Sequence, residues 1–126
     1  MSNGINARVI FNNDNVKIIA NSLKFKTGNG EIKTEVEVFG SEVFHCDTKD
    51  LSTAISGGSF DMRTTIENYE MVRVWINNFN NNTVQILNET GTLALNFRQA
   101  KVSNEIEFEV GADGKFTVEF NALPVL

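Results

Sequence analysis

Ser56-Gly57-Gly58-Ser59-Phe60-Asp61-Met62-Arg63-Thr64-Thr65, running on through Ile66 to Asn78, decides the fold. Phe60, Met62 and Thr64 alternate with Ser59, Asp61 and Arg63, and a period of two marks a half-buried strand. Thr64-x-x-Glu67 has the spacing of a capping box, in which the hydroxyl accepts from an early helical N–H and the carboxylate reaches back to the cap. The period then changes. Ile66, Tyr69, Val72, Trp75, Ile76 and Phe79 recur at three- and four-residue steps, which predicts a helix over about 65–78. Tyr69, Val72, Trp75, Ile76 and Phe79 form its expected core face. The helix is expected to stop in Asn77-Asn78-Phe79-Asn80-Asn81-Asn82, because Asn competes for the backbone and favours caps over helix interiors. It carries the single Trp and the single Tyr, as the expected lid over a mostly β core.

Outward from this stretch, strands and turns dominate. Ile5 to Phe11 reads as a strand and Asn12-Asn13-Asp14-Asn15 as a turn, since Asn and Asp tolerate the left-handed region. Val16 to Ala20 extends a strand. Leu23, Phe25 and Thr27 alternate with Lys24 and Lys26; after Gly28-Asn29-Gly30, Ile32 to Phe39 returns. Asn-Gly between alternating runs signals a hairpin. In the return strand Val36 and Val38 face one way, Glu35 and Glu37 the other. Residues 40–57 lack a steady period: Glu42 to Asp47 has strand character, Thr48 to Thr53 is polar, and the whole reads as a long loop between strands. Such ordered loops are uncommon and usually have a role. Downstream, Leu93, Leu95 and Phe97, then Ile106, Phe108 and Val110, then Phe116, Val118 and Phe120 each alternate with polar residues. Some eight or nine strands in mostly adjacent hairpins predict a mainly β fold, an antiparallel β-sandwich or small barrel with one packed helix.

The 126 residues make one domain, 1–126. A chain of this length buries roughly two-thirds of its unfolded surface without disulfides or metals. Cys46, the single cysteine, excludes an internal disulfide and suits a reducing compartment. No apolar run reaches membrane-span length. The N-terminus lacks the basic and apolar regions of a signal peptide, so the Asn81 and Asn88 sequons read as chance. Charge is uneven. Residues 1–33 carry five basic groups and two acidic ones (Asp14 and Glu31); residues 34–126 carry six basic and fourteen acidic. The net of −5 argues against tight nucleic-acid binding, which needs clustered cations, and allows head-to-tail charge complementarity between copies.

Enzymatic constellations are missing from the sequence. His45 and Cys46 are adjacent, so on a strand they point to opposite faces and do not form a nucleophile–base pair. One His and one Cys do not close a zinc site, and no cofactor is expected. Gly57-Gly58 is too short for a phosphate loop and reads as permission for a bend or bulge. Glu35 and Glu37, and likewise Glu105, Glu107 and Glu109, lie on one strand face each, either as solvated surface or as a wall facing something anionic. Trp75 and Tyr69 sit at core spacing and do not make a base-stacking platform.

The layout resembles the tail tube proteins of contractile-tailed bacteriophages. The resemblance is carried by Phe60-x-Met62-x-Thr64-Thr65-x-Glu67-Asn68, Val72-x-x-Trp75, the Asn tract with Val84-x-Ile86, and Phe97-x-x-Ala100-x-Val102-x-Asn104. Asp113-Gly114 leading to Phe120-x-x-Leu123-Pro124 completes it, so that it spans nearly the whole chain. It implies a structural virion protein, not an enzyme. Hexameric rings would stack into a tube with a continuous luminal β-barrel, through which viral DNA passes without specific binding. Sheath, baseplate and tail terminator proteins are the implied partners. The implied location is the virion tail, after synthesis in the host bacterial cytoplasm. Related tubes serve bacteriocins and type VI secretion. Thr48, Lys49, Asp50, Leu51, Ser52 and Thr53 become candidates for contact with a neighbouring subunit. Glu35 and Glu37, with Glu105, Glu107 and Glu109 as second choice, become candidates for the lumen. The rival reading is a monomeric β-sandwich that binds carbohydrate or a receptor.

Overall fold

The computed structural model describes residues 7–28, 31–39, 42–50, 54–88 and 93–125, with 31–39 and 42–50 described by backbone pairing alone. Seven strands form one antiparallel sheet. In chain order they are β1 (Arg8–Phe11), β2 (Asp14–Val16), β3 (Lys24–Lys26), β6 (Ser56–Arg63), β7 (Asn82–Leu87), β8 (Ala94–Val102) and β9 (Lys115–Pro124). Their spatial order is β2-β1-β7-β8-β9-β6-β3. Between β3 and β6 the chain makes a separate two-stranded sheet, β4 (Glu31–Phe39) with β5 (Glu42–Asp50). One helix, α1 (Ile66–Asn77), follows β6. The mainly β fold with one packed helix is thus present, but the sheet does not close into a barrel.

It does curl. Phe11 on β1 and Phe120 on β9 are separated by two intervening strands, about 14 Å in a flat sheet. Their ring centroids are 6.1 Å apart. The inward set comprises Val9, Phe11, Val84, Ile86, Phe97, Phe60, Met62 and the alternating Phe116, Val118, Phe120 and Ala122 of β9. Trp75 fills the mouth left between the two ends of the sheet. Its indole stacks on Phe11 at 4.1 Å and meets Phe60 edge-on at 6.2 Å. Beyond β2, Ile19 donates its N–H to the Asp61 carbonyl (2.8 Å), and Ser22 Oγ accepts from Asp61 N–H (3.0 Å). The segment after β2 therefore reaches across to β6.

Local chemistry explains the turns. Asn12 and Asn13 both have positive φ (53° and 68°), and Phe11 pairs with Asp14. This is the two-residue hairpin geometry that Asn tolerates best among residues with a side chain. Gly57 and Gly58 are needed for close approach and not for a bulge: a Cβ on Gly57 would collide with the Phe120 carbonyl, and one on Gly58 with the Lys24 carbonyl. The bulge lies elsewhere. Gln99 has φ 52°, and β8 gains one residue there relative to both β7 and β9. Phe97 and Ala100, three apart, therefore both face inward.

Several expectations are corrected. The hairpin expected between Leu23–Thr27 and Ile32–Phe39 does not form: β3 pairs with β6, and β4 pairs with β5. The long loop over 40–57 is largely strand: β5 pairs with β4 from Glu42 to Asp50. Its polar residues, Thr48, Lys49 and Asp50, hide the period on which a strand is recognised from sequence. Thr48, Lys49 and Asp50 stand on β5, while Leu51, Ser52 and Thr53 lie outside the described residues. Glu105 to Val110 alternates in exposure but joins no strand; it runs beside β9 with single backbone bonds, such as Glu109 N–H to Lys115 O (3.1 Å). The helix is capped by Thr65, not Thr64: Thr65 Oγ1 accepts from Asn68 N–H at 3.2 Å. Thr64 Oγ1 is buried without a partner. Of the five expected core residues, Val72 and Trp75 are buried, whereas Tyr69, Ile76 and Phe79 are exposed. A short helix lying across a curved sheet buries only a narrow stripe, and Phe79 lies past the last turn.

Candidate functional site

Four surfaces stand out among the described residues. Among the described residues, no three His, Cys, Asp or Glu side chains are arranged to hold a metal ion. His45 and Cys46 are neighbours on β5, across from Val36 and Glu35 of β4.

The first surface is the pair of open sheet ends. β2 and β3 are the terminal strands, each with one hydrogen-bonding side unpaired in the sheet. β3 is short, and Lys24, Phe25 and Lys26 are all exposed. Lysines on a short terminal strand discourage indiscriminate pairing. The second surface is the β4–β5 hairpin. Its register runs from Glu31 opposite Asp50 to Phe39 opposite Glu42. Glu35 and Glu37 fall on the same strand face, opposite Cys46 and Phe44. Ile32, Val36 and Val38 occupy the alternate positions, with Val43 across from Val38. A two-stranded hairpin alone is marginally stable in water, and among the described residues β4 and β5 pair with each other alone.

The third surface is acidic. Glu105, Glu107 and Glu109 are exposed along the segment beside β9 and, with Asn104, Lys115 and Thr117, border a shallow cleft of about 340 Å³. Ile106 and Phe108 turn the other way and pack against the core, Phe108 lying 4.6 Å from Phe116. The two acidic sets thus lie on different elements, one on β4 and one beside β9.

The fourth is the outside of α1. Tyr69 stacks edge-on against Phe108 at 5.3 Å, Arg73 lies over the Tyr69 ring at 5.9 Å, and Lys101 lies over Phe79 at 5.7 Å. Phe79 adopts a left-handed conformation (φ 51°) just after the Asn78 cap. It is held there by Asn82, a residue the sequence reading passed over. Asn82 is fully buried, and its Nδ2 donates to the carbonyls of Trp75 (2.9 Å), Phe79 (3.1 Å) and Ala100 (3.0 Å). Its Oδ1 accepts from Asn12 Nδ2 at 2.6 Å. The Asn tract was the available signal, but which Asn turns inward depends on the Gln99 bulge that frees the Ala100 carbonyl.

No known protein family matches the chain, and no curated protein matches it. Among solved structures, the chain is similar to the tube-terminating cap of the anti-feeding prophage. The TM-score is 0.51 at 11% identity, and the match covers 97% of this chain and 86% of that one. At that identity the likeness establishes a shared fold.

Proposed function

We propose that this chain is a structural, non-enzymatic subunit of a phage-like contractile tail, and within it a subunit of the tail tube. Six copies form a ring, and rings stack into a hollow conduit. The observation that carries this reading is the shared fold: nearly the whole chain superposes on a protein that terminates such a tube. The surfaces agree with it. Two sheet ends and a hairpin with no further strand pairing among the described residues suit a subunit completed by its neighbours. In this reading the hairpin, with Thr48, Lys49 and Asp50 on β5, and the residues 51–53 that follow it touch the adjacent subunit or the next ring. The exterior meets a sheath, and the stack ends at baseplate and terminator proteins. The conduit passes DNA in a virion, or serves delivery in a bacteriocin-like particle.

A second reading follows from the neighbour being a cap: the chain forms one terminal ring and does not stack. The monomeric sugar-binding reading loses Trp75, which is only 1% exposed, though Tyr69 is 37% exposed. Negative-stain microscopy of the purified protein, alone and with a tube seed, separates the three. Stacked tubes support the tube subunit and single rings support the cap. A monomer at every concentration refutes both.

A further inference from the structure

The two flanks of α1 are opposite in charge, basic on one and acidic on the other. On one side of the buried Val72–Trp75 stripe lie Tyr69 and Ile76, continued past the helix end by Phe79. Phe79 is 63% exposed and Ile76 49%. The charged groups there are Arg73 and Lys101, each against an aromatic ring. On the other side a cleft of about 420 Å³ opens between the helix and the β1–β2 turn. Its lining includes the apolar Met71 and Val74 and the acidic Asp14, Glu67 and Glu70. Among the described residues the single ion pair joins Lys115 to Asp61, so none of these five charges is neutralised by another in this way.

Phe79 adds an independent argument. The position after a helix C-cap in left-handed conformation is the one where Gly is favoured, because a Cβ is strained there. Stability alone would place Gly. An aromatic ring is instead held outward in water, and such strain clusters where a side chain is used.

We infer that α1 is a self-association element: the Ile76–Phe79 knob of one copy seats in the Met71–Val74 cleft of the next, with Arg73 and Lys101 facing Asp14, Glu67 and Glu70. The knob and the cleft are different surfaces of one chain, so the contact is head-to-tail. Such a contact yields a ring where the rotation closes and a filament where it does not. For ring closure the inference rests on the tube reading above.

Charge reversal tests it. Arg73→Glu with Lys101→Glu gives an acidic knob beside an unchanged acidic cleft. Glu67→Lys with Glu70→Lys gives a basic cleft beside an unchanged basic knob. All four positions are exposed, so circular dichroism should show both proteins folded. Sedimentation velocity across a concentration series should show each variant alone weakened in self-association by roughly tenfold or more, since like charges then meet. An equimolar mixture should recover, because every contact between the two variants in an alternating assembly is again complementary. Phe79→Gly should weaken association while leaving the melting temperature equal or higher. Wild-type association by either double variant, or no recovery on mixing, overturns the helix contact. Normal tubes from every variant would overturn it while leaving the tube reading intact. Recovery on mixing into filaments that are not tubes would keep the contact and sink the tube reading.

Discussion

Asn82 holds three elements at once: the end of α1, the bulge of β8 and the turn between β1 and β2. Asn82→Ala strands the Trp75 and Ala100 carbonyls in a dry interior. Each unsatisfied buried group costs about 1–3 kcal/mol, so a loss of about 3 kcal/mol is expected in urea unfolding. An unchanged midpoint would mean water takes over the network. Trp75→Ala removes the side chain that bridges Phe11 and Phe60 and is expected to cost about 3–5 kcal/mol. Ile76→Ala, on the same predicted face, is expected to fall within about 0.5 kcal/mol because Ile76 is half exposed. A large loss at Ile76 would restore it to the core. The difference between the two residues was not legible from spacing. Both satisfy a three- and four-residue period, and only the curvature of the sheet decides how wide a stripe is covered.

At the scale of elements, β6 and α1 were read nearly to their ends, because the period changes sharply between Met62 and Ile66. The cap slipped by one residue since Thr64 and Thr65 are chemically alike, and the choice falls to backbone pairing. Thr64 N–H bonds the Gly114 carbonyl and stays with the sheet, leaving Thr65 to turn. Thr65→Ala should therefore cost about 1 kcal/mol, while Thr64→Val, which removes an orphaned hydroxyl, should be neutral or stabilising. Thermal melts with the costs reversed would return the cap to Thr64. The hairpin was half legible. The alternation of β4 announced its first strand, but the pairing expected across Gly28-Asn29-Gly30 does not form: β3 pairs with β6, and β4 with β5, whose period is hidden behind Thr48, Lys49 and Asp50. Deleting Thr48 to Thr53 is expected to leave the seven-stranded sheet folded, since β4 and β5 pair only with each other, and to block polymerisation. Polymerisation at wild-type concentration would remove the hairpin from the assembly contacts.

For the molecule as a whole, the mainly β class was legible from counts of alternating runs, whereas closure was not. Alternation is the same in a sandwich, a barrel and a curled sheet, and only contacts such as Phe11 with Phe120 tell them apart. The same limit applies to the lumen. Glu35 and Glu37 share a face of β4, and in the tube reading that face lines the channel. A conduit for DNA works best when it does not hold DNA. Duplex DNA carries one charge per roughly 1.7 Å, so a few cations repeated sixfold per ring would grip it. Carboxylates would instead repel phosphate and keep mobile ions between wall and genome. At physiological salt this repulsion reaches about 8 Å, enough to matter in a narrow channel. Glu105, Glu107 and Glu109, exposed beside β9, are the competing set. Reversing Glu35 and Glu37 to Lys is expected to give tubes that assemble yet retain duplex DNA at low salt and release it at high salt. The same reversal at Glu105, Glu107 and Glu109 is expected to leave DNA retention unchanged. If the second set retains DNA and the first does not, the channel wall is the segment beside β9 and the hairpin faces outward.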